Sequence, residues 1–400
     1  MNILIANIGS TSFKFQLFDS ASLQELARGR LERIGSETAP VQFHVVGKEE
    51  VEQSVALPDF GSAILHSIQL LTDPDIGVIH HLSDIAAVGF KPVHALHITG
   101  CRLFTDDILD VMEEAVPLAP AHNPPYIAAV RLYRELLPGL PLYGLFEPTF
   151  HQTMPNYATM YGIPYDWIER YGLRRYGFHG ASHQHIAERT PVFLGCPSES
   201  LKIVSCHLGG SSSICAIDGG KSIDTSMGLT PQSGLMQSTR TGDLDPFVVM
   251  DMLDREQMTT DEMRTVLCKQ SGLKGLSGID SGDMRDILDA QKEGNERAAL
   301  AVDAYVYDIK KYIGAYAAAM NGLDVIVFTG GIGERSVEIR ARVCEGLTFL
   351  GIILDPARNK RKESEKIISS DEAKTIAAVI IANEERIIVR EVVNVIEKMT

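Results

Sequence analysis

"ANIGSTSFKF", residues 6–15, sets a glycine, three hydroxyls and a lysine between two apolar runs. The flanking stretches "MNILIANIG" and "FKFQLFD" are rich in β-branched and aromatic residues, and they predict strand, tight turn, strand. A turn furnished with small donors and a cation is suited to phosphate. Its backbone N–H groups and hydroxyls reach anionic oxygens at short range, and the lysine supplies charge. The bland alternative is that Ser10 and Ser12 are ordinary turn residues.

The pattern returns near residue 200. "LKIVSCHLGGSSSICAIDGGKSIDTS", residues 201–226, again reads as strand, small-residue turn, strand, and then a third strand. Laying "IANIGSTS" over "SCHLGGSS" aligns Gly9 with Gly209 and puts hydroxyls just after each. Two related turns roughly two hundred residues apart point to a duplicated β-rich unit, one per domain. A third element agrees with them. "DVIVFTGGIGERS", residues 324–336, is an apolar strand running into GGIG and a helical pattern, which presents backbone N–H groups to phosphate.

Bulk properties set the frame. A chain of 400 residues exceeds what one core usually supports, so two domains are expected. An apolar fraction of 45% with 22% charged residues is ordinary soluble globular composition. The formal charge of −15 argues against nucleic acid or an anionic membrane as partner. Cys101, Cys196, Cys206, Cys215, Cys268 and Cys344 are scattered without a CxxC pair, so free thiols are expected rather than a disulfide framework. No basic leader follows Met1, and no run reaches the ~18 apolar residues of a membrane span. A cytoplasmic location is therefore expected.

Helical spacing marks "SAILHSIQLL" (62–71), "NPPYIAAVRLYREL" (123–136) with its early prolines, and the long amphipathic stretch 295–320. Residues 375–399 read as a strand and then a helix opening with Glu384 and Glu385, where carboxylates suit the helix dipole. Composition by itself makes those two acids structural. "HGASHQH" spaces His179, His183 and His185 as a transition-metal site would, but no cysteine or acid stands close, and the metal-free reading is preferred. Arg240, near Asp243 and Asp245, is open to a structural ion pair.

Nine segments in order carry a resemblance over essentially the whole chain: "NIGSTSFKF", "APAHNP", "FEPTFHQTMP", "RRYGFHGASH", "CHLGGSSS", "DTSMGLTPQSGL", "STRTGDLDP", "VFTGGIGE" and "NEE". Together they resemble the acetate kinase family. The resemblance implies an α/β fold of two duplicated actin/hexokinase-like (ribonuclease H-like) domains with a central cleft, within the sugar kinase, heat-shock and actin superfamily. It implies a first domain of residues 1–147 plus 385–400 and a nucleotide-binding domain of residues 148–384. It further implies reversible, magnesium-dependent phosphoryl transfer between ATP and a short carboxylate, giving ADP and an acyl phosphate, in a homodimer.

The resemblance also assigns residues. Ser10, Ser12 and Lys14 stand where the family meets phosphate, with Asn7 and Glu384 at the metal. His179 matches the histidine that stabilises the transferring phosphoryl group, and Arg240 the arginine that clamps carboxylate and phosphoryl oxygens. His207, Gly209 and Gly210 form the second phosphate turn. Asp283, Arg285, Gly330, Gly331, Ile332 and Gly333 stand around the nucleotide. Val93, Ala121, Phe178 and Pro231 line the acyl pocket. The chemistry is consistent, since phosphoryl transfer asks mainly for positioning and for cations around three equatorial oxygens.

Several departures fall on catalytic positions. The family motif reads like HRVVHGG where this chain has "FKPVHAL" (90–96), so Lys91 replaces an essential arginine and Ala95 and Leu96 replace two glycines. A guanidinium forks both oxygens of a carboxylate, whereas an ammonium is a flexible point charge. Glu147 replaces a catalytic aspartate, with Pro148 after it. Gly210 and Ser211 replace asparagine and glycine, and Arg335 replaces an asparagine. Ala121 stands where leucine is usual, which points to a carboxylate larger than acetate. A working carboxylate kinase is therefore expected. The alternatives are a catalytically impaired homologue that binds nucleotide or metabolite, and a kinase that uses pyrophosphate or phosphate in place of ATP.

Overall fold

The opening stretch folds as strand, turn, strand: β1 (Asn2–Ile8) pairs antiparallel with β2 (Ser12–Asp19), with Ile8 opposite Phe13. The computed structural model describes residues 1–9, 11–120 and 122–399. They divide into two units, Met1–Thr149 with Asn383–Thr400, and Phe150–Ala382.

In the first unit the hairpin continues as a meander through β3 (Gln24–Glu32), β4 (Ser36–Val45) and β5 (Val51–Leu57). Strands β6 (Ile85–Phe90), β7 (Cys101–Leu103) and β8 (Leu142–Leu145) complete a sheet of order β5-β4-β3-β2-β1-β6-β8-β7. β1 and β6 run parallel, as do β6 and β8, so helices cross between them. Alternation decides the faces. Phe13, Phe15 and Leu17 of β2 are buried while Lys14 is exposed. Opposite Phe15, Gly29 leaves room for the ring, because a Cβ there would lie 2.2 Å from it.

The second unit repeats the plan. β9 (Lys202–Leu208), β10 (Ser212–Asp218) and β11 (Lys221–Thr225) form an antiparallel meander, as the sequence predicts. With β12 (Val325–Thr329), β13 (Lys366–Ile367) and β14 (Ile376–Val379) the order is β11-β10-β9-β12-β14-β13, and β9–β12 and β12–β14 are parallel. Three antiparallel strands followed by two parallel ones thus recur as β3-β2-β1-β6-β8 and β11-β10-β9-β12-β14. The duplication read from two short turns is a duplication of topology. In register the turns differ: Leu208 faces Ser212, so the second turn is one residue shorter than the first.

The helices predicted by spacing are present at Phe60–Thr72, Asn123–Leu136, Glu296–Ala319 and Glu384–Met399. Glu296–Ala319 buries Val302, Tyr305, Ile309 and Ile313 along one face against the second sheet. Burial of side chains of this size is worth ~1.5–3 kcal/mol each. All six cysteines are free thiols, three of them buried. Among the described residues no helix is long and apolar enough to cross a membrane.

Candidate functional site

In the first unit β6 ends at Phe90, and the next residue carries its ammonium to two carboxylates. Glu147 lies 3.2 Å from Lys91 Nζ, and Glu384, 293 positions away in sequence, is a direct hydrogen-bond partner. Glu147 is placed just beyond β8, where its N–H donates to the Pro92 carbonyl at 3.0 Å; Glu384 opens the C-terminal helix. The three side chains are 20%, 5% and 13% exposed. Burial disfavours charge on Lys91, but Glu384 and Glu147 outweigh it and hold the ammonium well above the usual lysine range. Beside them Tyr126 is pushed up to about 12, chiefly by burial, and its hydroxyl donates to Asn7 Oδ1 at 3.5 Å.

The resemblance splits these groups between substrate (Lys91), catalysis (Glu147) and metal (Glu384), whereas the structure joins them in one ion-pair cluster. Two carboxylates that converge on an ammonium can converge on a divalent cation. Among the described residues no three His, Cys, Asp or Glu side chains gather into a metal site. A cation held here keeps water in its shell, a habit that fits magnesium and suits a transition metal poorly. Glu384 is therefore more than a dipole complement.

The loop after Lys91 is tightly held. Asn123 Nδ2 donates to the carbonyls of His94 (2.7 Å) and Met112 (2.8 Å), and Asn123 Oδ1 accepts from the His94 N–H at 3.3 Å. Leu96, at one of the two glycine positions of the family motif, has φ +49°. A leucine in this left-handed region costs about 1–2 kcal/mol that glycine would not. Val93 is buried nearby in sequence. Lys14 is exposed opposite Asn7 across the hairpin, and the Ser12 carbonyl accepts from the Gly9 N–H at 2.8 Å. Ser10 and Ala121 lie outside the described residues.

In the second unit the glycine turn is tied down by a serine. The Gly209 N–H donates to Ser212 Oγ (3.2 Å), and Tyr305 of the long helix brings its hydroxyl to that same oxygen at 2.9 Å. Gly209, Gly210, Asp283, Arg285, Gly331 and Ile332 line one cavity of about 370 Å³, together with Met284, Leu288, Arg335 and Ser336. Six positions drawn from three distant segments thus share a single hollow. Asp283 caps the helix Met284–Lys292 by accepting from the Arg285 N–H (2.8 Å), and its carboxylate also pairs with the Arg285 guanidinium at 2.7 Å.

Gly330 needs its lack of a side chain. It has φ +75°, and a Cβ would stand 2.8 Å from the Leu208 carbonyl oxygen. Its N–H is not left for phosphate as the sequence suggests, because Glu334 Oε1 accepts from it at 3.0 Å and from the Ala382 N–H at 2.9 Å. Gly333 is buried in the short helix Gly330–Arg335, whose last carbonyls accept from the buried Arg340.

His179 precedes the helix Gly180–Leu194 with φ +55°, a strained position for a histidine. Its ring stacks on His207 at 4.3 Å, and its Nδ1 lies 2.8 Å from Ser213 Oγ. His207 Nδ1 lies 2.7 Å from Ser182 Oγ. Behind them His183 sits between Ser205 and Ser213, and His151 between Ser222 and the Phe178 carbonyl. Burial keeps both neutral, with His151 at about 4 and His183 well below the usual histidine range. His179 and His183 of the histidine run are thus held in a hydrogen-bonded network with serines.

Arg240 Nη1 donates to the Pro231 carbonyl (3.1 Å), Gln237 Oε1 (2.9 Å) and Ser211 Oγ (3.3 Å). Asp243 instead accepts from the Gly234 N–H and the Tyr312 hydroxyl, and Asp245 caps the helix Pro246–Arg255. Among the described residues neither Asp243 nor Asp245 pairs with the Arg240 guanidinium. Sequence reasoning missed Tyr126, Asn123, Glu334, Ser205 and Ser213. A signal existed for part of this: Ser182 and His183 follow His179 at i+3 and i+4, and Ser205 and His207 alternate on one strand face.

The sequence profile described as the Acetokinase family matches residues 2–390. Acetate kinase of Desulfitobacterium hafniense is 44% identical over 399 residues, covering all of both chains. Acetate kinase of Halothermothrix orenii is 44% identical over 99% of this chain and 100% of its own. Among solved structures, Porphyromonas gingivalis acetate kinase superposes with a TM-score of 0.87 at 38% identity, over 99% of each chain. A propionate kinase from Francisella tularensis gives 0.88 at 33% identity, over 98% of each.

Proposed function

Because the chain belongs to the acetokinase family, we propose that it transfers the terminal phosphoryl group of ATP reversibly to a short carboxylate. A carboxylate oxygen attacks the γ-phosphorus, the bond to the β-phosphate oxygen breaks, ADP leaves with that electron pair, and an acyl phosphate forms. The observation that carries this reading is the 370 Å³ cavity of the second unit, which brings Gly209, Gly210, Asp283, Arg285, Gly331 and Ile332 together. It takes adenosine against Met284, Leu288 and Ile332 and the phosphates toward the Gly209 turn. Ser12, Lys14 and His207 are assigned to the nucleotide by the family resemblance, while Gly330 and Gly333, buried in the fold, shape the turn that carries Gly331 and Ile332.

Catalysis here is positioning and charge placement. Arg240, whose Nη1 is held by three acceptors, brings its guanidinium charge to the phosphoryl oxygens, and His179 brings a ring N–H. Lys91 attracts the carboxylate as a point charge. The family resemblance assigns Val93, Phe178 and Pro231 to its alkyl end, and the small Ala121 in the sequence favours a chain longer than acetate's. Magnesium, when bound, would be held by Glu384 and Glu147, with Asn7, and would neutralise phosphate oxygens.

The reading is tested by trapping acyl phosphate as hydroxamate across a panel of linear carboxylates, with Glu384→Ala as control. Product with one or more acids is expected; none above control, with tight ATP binding by calorimetry, would establish the non-catalytic alternative. The commitment of Lys91 to Glu147 and Glu384 is what favours that alternative. Running pyrophosphate beside ATP tests the donor. Homodimerisation and a cytoplasmic location belong to the same proposal. The exposed Tyr157, Tyr165, Trp167 and Tyr171 supply apolar surface for an interface, which light scattering would detect.

A further inference from the structure

Ser205 and Ser213 are both fully buried, and each hydroxyl hydrogen requires an acceptor. Among the described residues Ser205 Oγ has one hydrogen-bond partner, His183 Nδ1 at 2.9 Å. Ser213 Oγ has two, His183 Nε2 and His179 Nδ1, each at 2.8 Å. This arrangement has only one fully satisfied assignment of protons. Ser205 must donate to His183 Nδ1, because nothing else takes its hydrogen. A neutral His183 then carries its proton on Nε2 and donates to Ser213 Oγ. Ser213 in turn has only His179 Nδ1 left to receive its own hydrogen.

We propose that Ser205, His183 and Ser213 form a proton-ordered chain that locks His179 as the neutral tautomer with its hydrogen on Nε2. His179 thereby presents a fixed N–H donor on the side of the ring away from Ser213. The reverse order would orphan the Ser205 hydrogen inside the protein. An imidazolium at His179 would turn a second donor on Ser213 Oγ and orphan the Ser213 hydrogen. The burial of His183, with His151 and His207 as neighbours, works the same way by keeping His183 uncharged. Ser205, His183 and Ser213 are positioning residues: they act through His179. What His179 does with its N–H rests on the kinase reading above, where a donor aimed at charge that develops on the phosphoryl oxygens costs no reorganisation during the step.

The test uses the full-length protein with ¹⁵N-labelled histidine at pH 7, without substrate. Long-range ¹H–¹⁵N spectra distinguish the two neutral tautomers and the imidazolium, and His179→Gln assigns the resonance. Expected are neutral Nε2–H patterns for both His179 and His183. An imidazolium or an Nδ1–H form at either residue overturns the proposal. Ser213→Ala, which removes one oxygen and leaves strand β10 intact, should release His179 into a mixture of tautomers. It should also lower kcat about tenfold while both KM values move less than about twofold. An unchanged His179 pattern in Ser213→Ala equally overturns it. Absence of carboxylate kinase activity in the unsubstituted protein counts against the functional reading, whereas the spectra decide the lock by themselves.

Discussion

Replacing Lys91 by methionine keeps the length of the side chain and deletes the cation between Glu147 and Glu384. At 3.2 Å and an effective dielectric of about 20, the Lys91–Glu147 attraction alone is about 5 kcal/mol. The Glu384 contact is closer still. Desolvation of three largely buried groups offsets most of this, so the intact cluster contributes little net stability. Its loss is another matter. Two carboxylates would be left buried side by side without their counterion, a penalty of ~3–5 kcal/mol. The lower end applies, because the ammonium is one-fifth exposed and water can partly replace it. At ~2–4 °C per kcal/mol for a unit of this size, the first unit of Lys91→Met should melt ~6–12 °C lower in EDTA. Magnesium should then restore much of the loss, by about 2.7 kcal/mol at a hundredfold excess over its dissociation constant. The parent protein, whose ammonium competes for the same carboxylates, should gain less, and Lys91→Arg should behave like the parent. Scanning calorimetry with and without magnesium decides the matter. Equal melting of Lys91→Met and parent in EDTA, or equal stabilisation of both by magnesium, would refute the reasoning.

Three other outcomes follow from the same structure. Gly330→Ala places a Cβ against the Leu208 carbonyl at a backbone angle of φ +75°, and should destabilise by ~1–3 kcal/mol while weakening nucleotide binding in calorimetry. His151, neutral in the fold with its pKa depressed to about 4, contributes stability that is complete above the ordinary histidine value and lost as pH falls toward 4. The free energy of unfolding from urea titrations should drop across that window by on the order of 3 kcal/mol, and His151→Gln should flatten the slope. Glu385 is raised by burial and then by Glu384, so its carboxylate form opposes folding once pH rises above the ordinary value. Glu385→Gln should therefore raise the melting temperature at pH 7 and leave it unchanged below pH ~4; a lower melting temperature at pH 7 would contradict this.

Local sequence determined the repeated hairpins, the five-residue strand into GGIG and the four long helices. Each rests on interactions within a few residues: alternation along a strand, apolar spacing along a helix, small residues where the chain reverses. The duplicated unit was legible for the same reason, since two stretches eight residues long carry it. What the chain's own order left undecided was which distant groups meet. Lys91, Glu147 and Glu384 have local contexts that say nothing of one another, and only the return of the C-terminal helix into the first unit joins them. Likewise "HGASHQH" offers three histidines at metal-like spacing, and it is the packing of Gly180–Leu194 against β9 and β10 that supplies serines to His179 and His183. Glu334 closes the Gly330 N–H that the motif on its own leaves open, because the fold brings an acceptor there. Short-range sterics and hydrophobic periodicity are written in neighbours along the chain; ion pairs, tautomers and cavities depend on neighbours in space, and those exist only once the sheets have formed.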